Sequence, residues 1–504
     1  MVLNLASGNC CFHFMFQSNF SSLVLFSHFR HIYYNSNLTD KITVLIVHLK
    51  WNLIKLILFL LLQLVIVNSA YAILSATSAH FIVGNAPKVV ALNSADKQGF
   101  RVGGTFYSEA GGNIKADEIK EFNGNLRFND FEIVAYTSQN LDRINNYSDI
   151  DGDDADGNIP FLIEQTTYEW YDNSGIRINK TETSDPFNNI IGCGSGYAMP
   201  LRLIIKTDVK AHSAYGIPDE GESITLSKSY QIAAMSELCY AKPNGIIARP
   251  KEQWIGYNSD RGSESWNDEN HTKPHPIHGG GFTDDYVPNY GFKANPTISS
   301  NKFPTTGFPG AKFQLVMTGA QTDYLYRIIS NPGSGVSIDD NGIVLLRNKP
   351  TGNVTIRAIL KRDTAVYHDY TFNPTLVWLI PQGNNYMGWE AAKQRCGGVQ
   401  NLPSLSMFTN SPQNSIAPNT GWQGMPNTFT RAIGGGVFAE WGYSDIKSYP
   451  NSQWGDFANA MDGKAFYWSS NIHTKNYYMF VGDARAGNVN TYDMKYQHLV
   501  ACKG

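Results

Sequence analysis

The side chains best suited to chemistry fall in four places along the chain. Asp149-Ile150-Asp151-Gly152-Asp153-Asp154-Ala155-Asp156-Gly157-Asn158 sets five carboxylates in eight positions. A hard cation such as calcium needs six to eight oxygens, and loops of this kind supply them. Asp149, Asp151, Asp153 and Asp156 are the candidate ligands, and calcium is the one cofactor the sequence suggests. The loop fails as an EF-hand: counted from Asp149, position 6 is Asp154 instead of Gly, and position 12 is Pro160 instead of Glu. A solvated acidic turn between strands is the preferred reading. His271, His275 and His278 also invite a metal, but no HExxH pattern accompanies them and two prolines stiffen their spacing. A His-Pro loop is the simpler account.

Cys10 and Cys11 aside, four cysteines remain: Cys193, Cys239, Cys396 and Cys502. No CxxC occurs, so neither a zinc ribbon nor a thioredoxin-type motif is on offer. Three disulfide pairings are open; sequence proximity and domain boundaries favour Cys193–Cys239 and Cys396–Cys502. Catalytic patterns are missing. Gly194-Ser195-Gly196 and Gly333-Ser334-Gly335 lack the spacing of a nucleophile elbow, and there is neither a Walker A loop nor a dinucleotide fingerprint. The expectation is a protein that is not an enzyme. A carboxylate pair for glycoside hydrolysis is the alternative that spacing cannot reveal.

These groups are carried on a chain of 504 residues, 42% hydrophobic and 13% aromatic, with a net charge of −3. That is material for several packed cores. No basic block tracks phosphates, which argues against nucleic acid. Lys50-Trp51-Asn52-Leu53-Ile54-Lys55 is a basic n-region, Leu56 to Val67 an apolar run, and Ala70-Tyr71-Ala72 a small-x-small cleavage site. Residues 50–72 therefore read as a secretory signal peptide, with the mature chain starting at Ile73. The rival is an uncleaved anchor over residues 43–67, which would place Lys50 and Lys55 inside the span. Residues 1–49 show no sustained period and read as a mis-assigned N-terminal extension, with initiation near Leu49. Removing residues 1–72 takes away Arg30, Lys41, Lys50 and Lys55 against Asp40, leaving 36 basic and 42 acidic residues, about −6.

From Ala79 to about Tyr240 short β-segments alternate with Asp-Gly and Asn-Gly turns: Phe131–Tyr136, Thr167–Tyr171 and Leu201–Ile205. Trp170 suits the core of an immunoglobulin-like sandwich spanning 79–240. Residues 241–302, dense in Pro, Gly and His, read as a linker. Over 303–373, Phe313–Met317 and Val354–Ile359 alternate cleanly around the hairpin Gly335–Val344. Residues 374–504 open on a short amphipathic helix, Met387–Cys396. Leu402-Pro403, Glu440-Trp441-Gly442, Tyr467-Trp468-Ser469-Ser470, the strand Tyr477–Val481 and Val500-Ala501-Cys502 follow.

The hairpin at 335–344 and the following Val354–Ile359 strand resemble the bacterial immunoglobulin-like modules of intimin and invasin stalks. The order of motifs after residue 373 resembles their C-type-lectin-like tip domain. The resemblance implies a mainly β, multidomain fold: immunoglobulin-like β-sandwiches followed by an α+β C-type-lectin-like domain. The whole chain resembles the secreted exoproteins of the Zir/Sin type that accompany inverse autotransporters. It implies a secreted, adhesin-like binding protein whose tip takes a protein ligand, either a host-cell receptor or the cognate outer-membrane autotransporter. A membrane would matter only during export. The Glu-Pro-Asn or Gln-Pro-Asp and Trp-Asn-Asp signatures of calcium-dependent lectins are missing after residue 373, which argues for a protein-binding face. Trp422, Tyr443 and Trp454 are its candidate anchors if exposed. Two readings from other classes are a secreted glycan-active hydrolase and a membrane-anchored structural envelope protein.

Overall fold

The computed structural model describes residues 47–59, 83–90, 92–115, 117–181, 184–245, 274, 279–412, 429–456, 466–474, 477–481, 487 and 489–504. The chain divides into two compact units, Met1–Ile82 and Val83–Gly504. In the first, residues 47–59 are helical and carry Lys50 and Lys55. The rest of the apolar run and the Ala70-Tyr71-Ala72 motif lie outside the described residues. No helix among the described residues is long and apolar enough to cross a membrane.

The second unit is mainly β, and it begins with a six-stranded sheet. Its centre is Leu201–Ala211, where Leu201, Leu203, Ile205, Thr207, Val209 and Ala211 are buried and the alternate residues between them are not. That two-residue period is what one buried sheet face requires. Ile224–Ala234 pairs with it antiparallel, and Ile119–Phe122 adds in parallel on the far side. Thr167–Tyr171 and Phe161–Ile163 share its other edge. The expected core role of Trp170 is met: its ring meets Phe128 and Phe131 edge-on at 5.3 and 5.4 Å. The expected strand over Phe131–Tyr136 shrinks to Glu132–Ile133. That pair completes a small sheet with Phe100–Val102 and Thr105–Tyr107. Phe100 packs this sheet onto the larger one, 5.5 Å from Tyr230.

A second sandwich follows with no linker between. Leu238–Pro243 is a strand, paired antiparallel with Ala311–Met317. Tyr286–Val287 and Gly291–Lys293 extend the same sheet on one side, Ile343–Leu346 and Val336–Ile338 on the other. The linker expected over 241–302 is thus corrected at both ends. Its turn-forming residues do local work instead of breaking the fold: Asn289 and Gly291 take φ of 70° and 94° in the hairpin between the two short strands. Residues 246–273 and 275–278, with His271, His275 and His278, lie outside the described residues. Tyr324–Ser330, Val354–Leu360 and Tyr367–Phe372 form the facing sheet. Phe313 and Phe372 meet edge-on across the core at 5.3 Å.

Both disulfides are present. Cys193–Cys239 has a Cα–Cα distance of 5.7 Å. Since Cys239 lies on Leu238–Pro243, this bridge ties the first module to the second sandwich and not to itself. Cys396–Cys502, at 5.4 Å, joins the helix Trp389–Arg395 to the closing strand Ala501–Lys503. That strand pairs with Val377–Pro381, whose other neighbour is the parallel Thr306–Gly307 of the second sandwich. One hydrophobic cluster accordingly runs from Leu238 and Phe313 through Phe303 and Trp441 to Tyr467 and Ala501.

At its centre lies Glu440, fully buried in the short helix Val437–Trp441. Thr305 N and Thr306 N donate to its carboxylate at 3.1 and 2.8 Å, and their hydroxyls donate at 2.6 and 2.7 Å. Gly434 N adds 2.8 Å. Beside it, the Trp441 indole N–H donates to Thr306 O at 3.1 Å. Glu440→Ala leaves the four buried donors of Thr305 and Thr306 without their acceptor. The expected loss is about 3 to 5 kcal/mol, read as a lower denaturant midpoint at unchanged slope; a loss below about 1 kcal/mol would show that the carboxylate is not the clamp.

Candidate functional site

The acidic loop uses its carboxylates on its own backbone. Asp149 Oδ1 accepts from Asp151 N at 2.8 Å and from Asp153 N at 3.3 Å. Asp156 Oδ1 accepts from Asn158 N and Ile159 N at 2.7 and 2.8 Å. Asp151 takes the backbone and side-chain N–H groups of Asn85, which hold its carboxyl below the usual range. Asp153 goes the other way: desolvation, then repulsion from Asp149, Asp151 and Asp154, raises it. The Tyr147 hydroxyl, desolvated and beside Asp149, Asp153 and Asp154, is pushed up to about 12. These are turn-capping contacts. Among the described residues only Cys193, Glu237 and Cys239 bring three ligand atoms within 4.8 Å of one another, and those two sulfurs are bonded to each other. Asp149, Asp151, Asp153 and Asp156 do not converge in that way.

The aromatic anchors divide. Trp422 lies outside the described residues. Tyr443 is half-buried, its N–H donating to Gly245 O at 3.2 Å. Trp454 is corrected: it is 1% exposed, edge-on to Phe308 and Tyr467 at 5.2 and 5.1 Å, and presents no ring to a ligand. Spacing could not show this, because an isolated tryptophan in a Gly-rich stretch has no periodicity to reveal its face. Exposed apolar side chains of the C-terminal module include Val399, Ile472 and Tyr496, at 41, 61 and 52%. Sequence reasoning passed over them.

It also passed over Glu440, although a lone carboxylate in Val437-Phe438-Ala439-Glu440-Trp441 was a usable signal. Burial raises its carboxyl, and the hydrogen bonds from Thr305, Gly434 and Thr306 pull against that rise. His498 is a second buried ionisable group. Its ring lies 4.9 Å from Trp468 and 5.0 Å from Tyr492, and desolvation lowers it to about 4.

With that geometry described, the relatives can be placed. Residues 284–372 match the family model of invasin domain 4. The match covers the second sandwich and starts within the segment that composition marks as a linker. No curated protein sequence is significantly similar to the chain. Solved structures that show likeness include the following three. The bacterial integrin-binding protein invasin is 16% identical, with 69% of this chain and 51% of that one covered and a TM-score of 0.32. The chain thus spans about half the length of the invasin structure. The C-terminal 282-residue fragment of intimin, in complex with the intimin-binding domain of the translocated intimin receptor Tir, is 12% identical, covering 68% and 86%, at 0.28. Intimin-190 from enteropathogenic E. coli is 17% identical, covering 40% and 90%, at 0.23.

Two measurements follow from these groups. Calcium is expected to leave the thermal midpoint unchanged, since Asp149 Oδ1 and Asp156 Oδ1 already accept backbone N–H groups and the four carboxylates do not converge; a saturable rise, lost in Asp149→Asn, would support the metal reading. For His498 the folded ring stays neutral down to about 4, whereas the unfolded ring takes a proton near the ordinary imidazole value of about 6.5. Its contribution is fully present above 6.5 and drains away as pH falls towards 4, by about 3 kcal/mol in all. His498→Phe should flatten that stretch of the stability–pH curve; an unchanged slope would place the titration elsewhere.

Proposed function

We propose that the chain is an adhesin-type binding protein of the invasin and intimin kind, exported through the signal at residues 50–72. Its C-terminal module, 374–504, takes a protein ligand. The observation that carries this reading is the invasin domain 4 match over 284–372, together with the way that sandwich continues into the last module through one core. A stalk sandwich fused to a terminal module by a shared sheet suits a part that presents a binding face. The terminal module has the features of a C-type-lectin-like tip: an opening helix bonded by Cys396–Cys502 to the closing strand. The exposed Ile472 and Tyr496 are available for apolar contact. Of the two ligands, a host-surface receptor and a cognate outer-membrane autotransporter, the Zir/Sin resemblance favours secretion through a partner barrel and therefore brings the second within reach.

Binding of purified residues 73–504 to target cells is the test. Protease shaving of the cells should abolish binding, and enzymatic deglycosylation should leave it intact. Loss on deglycosylation alone, or hydrolysis of a glycan panel by the protein, would overturn the protein-ligand reading.

A further inference from the structure

Arg431 is fully buried, and Nε, Nη1 and Nη2 have no hydrogen-bond partner among the described residues. Its Cζ lies 4.6 Å from the centre of the Tyr286 ring and 5.6 Å from that of Phe292. A Cβ at position 442 would collide with Nη1, so glycine is required there. Aromatic faces attract a guanidinium, but more weakly than burial penalises it, and they satisfy none of its N–H groups. A buried cation in this state calls for a counter-charge.

Among the described residues no carboxylate hydrogen-bonds Arg431; the buried Asp445 accepts from Ser448 N at 2.7 Å instead. Asp285 is occupied by the N–H groups of Thr297, Ile298 and Ser299. Glu440 is occupied by Thr305, Thr306 and Gly434.

The backbone beside Arg431 is held closely. Arg431 N donates to Gly281 O at 2.9 Å, and Thr283 N donates to Arg431 O at 3.0 Å. The segment so held is Gly279-Gly280-Gly281, buried throughout, with consecutive φ of 70°, 81° and 58°. Only glycine takes that run of left-handed conformations without strain. A guanidinium fork matches two oxygens of an oxyanion.

We propose that the buried guanidinium of Arg431 is the core of a binding site for a compact oxyanion, the chemistry shared by inorganic phosphate, sulfate and a small carboxylate. The site lies where Tyr286 and Phe292 of the second sandwich meet Arg431 and Gly442 of the C-terminal module. Its occupant therefore stabilises that joint, independently of what the C-terminal face binds.

The test titrates the purified full mature protein by calorimetry and thermal unfolding. Sodium phosphate, sodium sulfate and sodium acetate are compared with sodium chloride at equal ionic strength. At least one oxyanion is expected to give saturable heat and a saturable rise in Tm beyond chloride; phosphate or sulfate against acetate separates tetrahedral anion from carboxylate. Arg431→Met should weaken that binding at least tenfold, with Arg431→Lys between the two because it keeps the charge and loses the fork. If none of the three anions gives saturable heat with the unsubstituted protein, or every Tm shift tracks ionic strength, the proposal fails, whether or not the variants fold. It fails equally if a folded Arg431→Met retains the original affinity.

Discussion

The Glu440 carboxylate is the constraint on which the C-terminal half depends. A buried carboxylate is tolerable only when its oxygens are filled, and here Thr305 and Thr306 fill them from the edge of the second sandwich. This fixes which two residues must follow the Phe303-Pro304 corner and how the helix Val437–Trp441 must lie against them. The Trp441 indole then donates to Thr306, to its O at 3.1 Å and its Oγ1 at 3.2 Å, and its ring fills the space beside Phe303, Phe308 and Phe313. Aromatic burial supplies most of the driving force at this joint; the carboxylate supplies its register.

That register explains why the last module is not an appendage. Val377–Pro381 stands between Thr306–Gly307 and Ala501–Lys503, so one strand belongs to both modules. Deleting residues after 376 would remove two of that sheet's three strands and unroof Phe308, which packs on Tyr449 and Trp454. The sandwich matched by the invasin domain 4 model would then expose part of its own core. A binding face on the C-terminal module is therefore held by the second sandwich as firmly as by its own disulfide.

Much of the fold was legible in the sequence because it rests on period. The alternation in Leu201–Ala211, Ala311–Met317 and Val354–Leu360 reports a sheet face directly, and the cysteines report their pairing through position. What escaped was long-range. Leu238–Pro243 reads as a boundary because its partner, Ala311–Met317, lies some seventy residues on. The short strands at Tyr286 and Gly291 are too brief to show a period and are visible only through pairing. The candidate site fared worse for the same reason. Trp454 carries no local sign of burial, and the composition of the acidic loop does not show that Asp149 Oδ1 and Asp156 Oδ1 accept backbone N–H groups. Glu440 did carry a local signal that went unused, as the one charge in an apolar helix.

The two joints of the unit are built on opposite principles. Between the first module and the second sandwich, Cys193–Cys239 is reinforced by polar contacts at the rim: Asp323 accepting from Met199 N at 3.0 Å, and Arg362 reaching Glu121. Separate apolar clusters lie on either side. Between the second sandwich and the C-terminal module there is no covalent tie beyond the chain; a continuous core and the Glu440 clamp replace it. A covalent joint with separate cores holds two modules together even when one is locally strained. A shared core instead makes stability common property, so a change in the C-terminal module is felt in the sandwich beneath it. A ligand bound to the last module would on that account stabilise both, and the first module would be coupled to them chiefly through its disulfide.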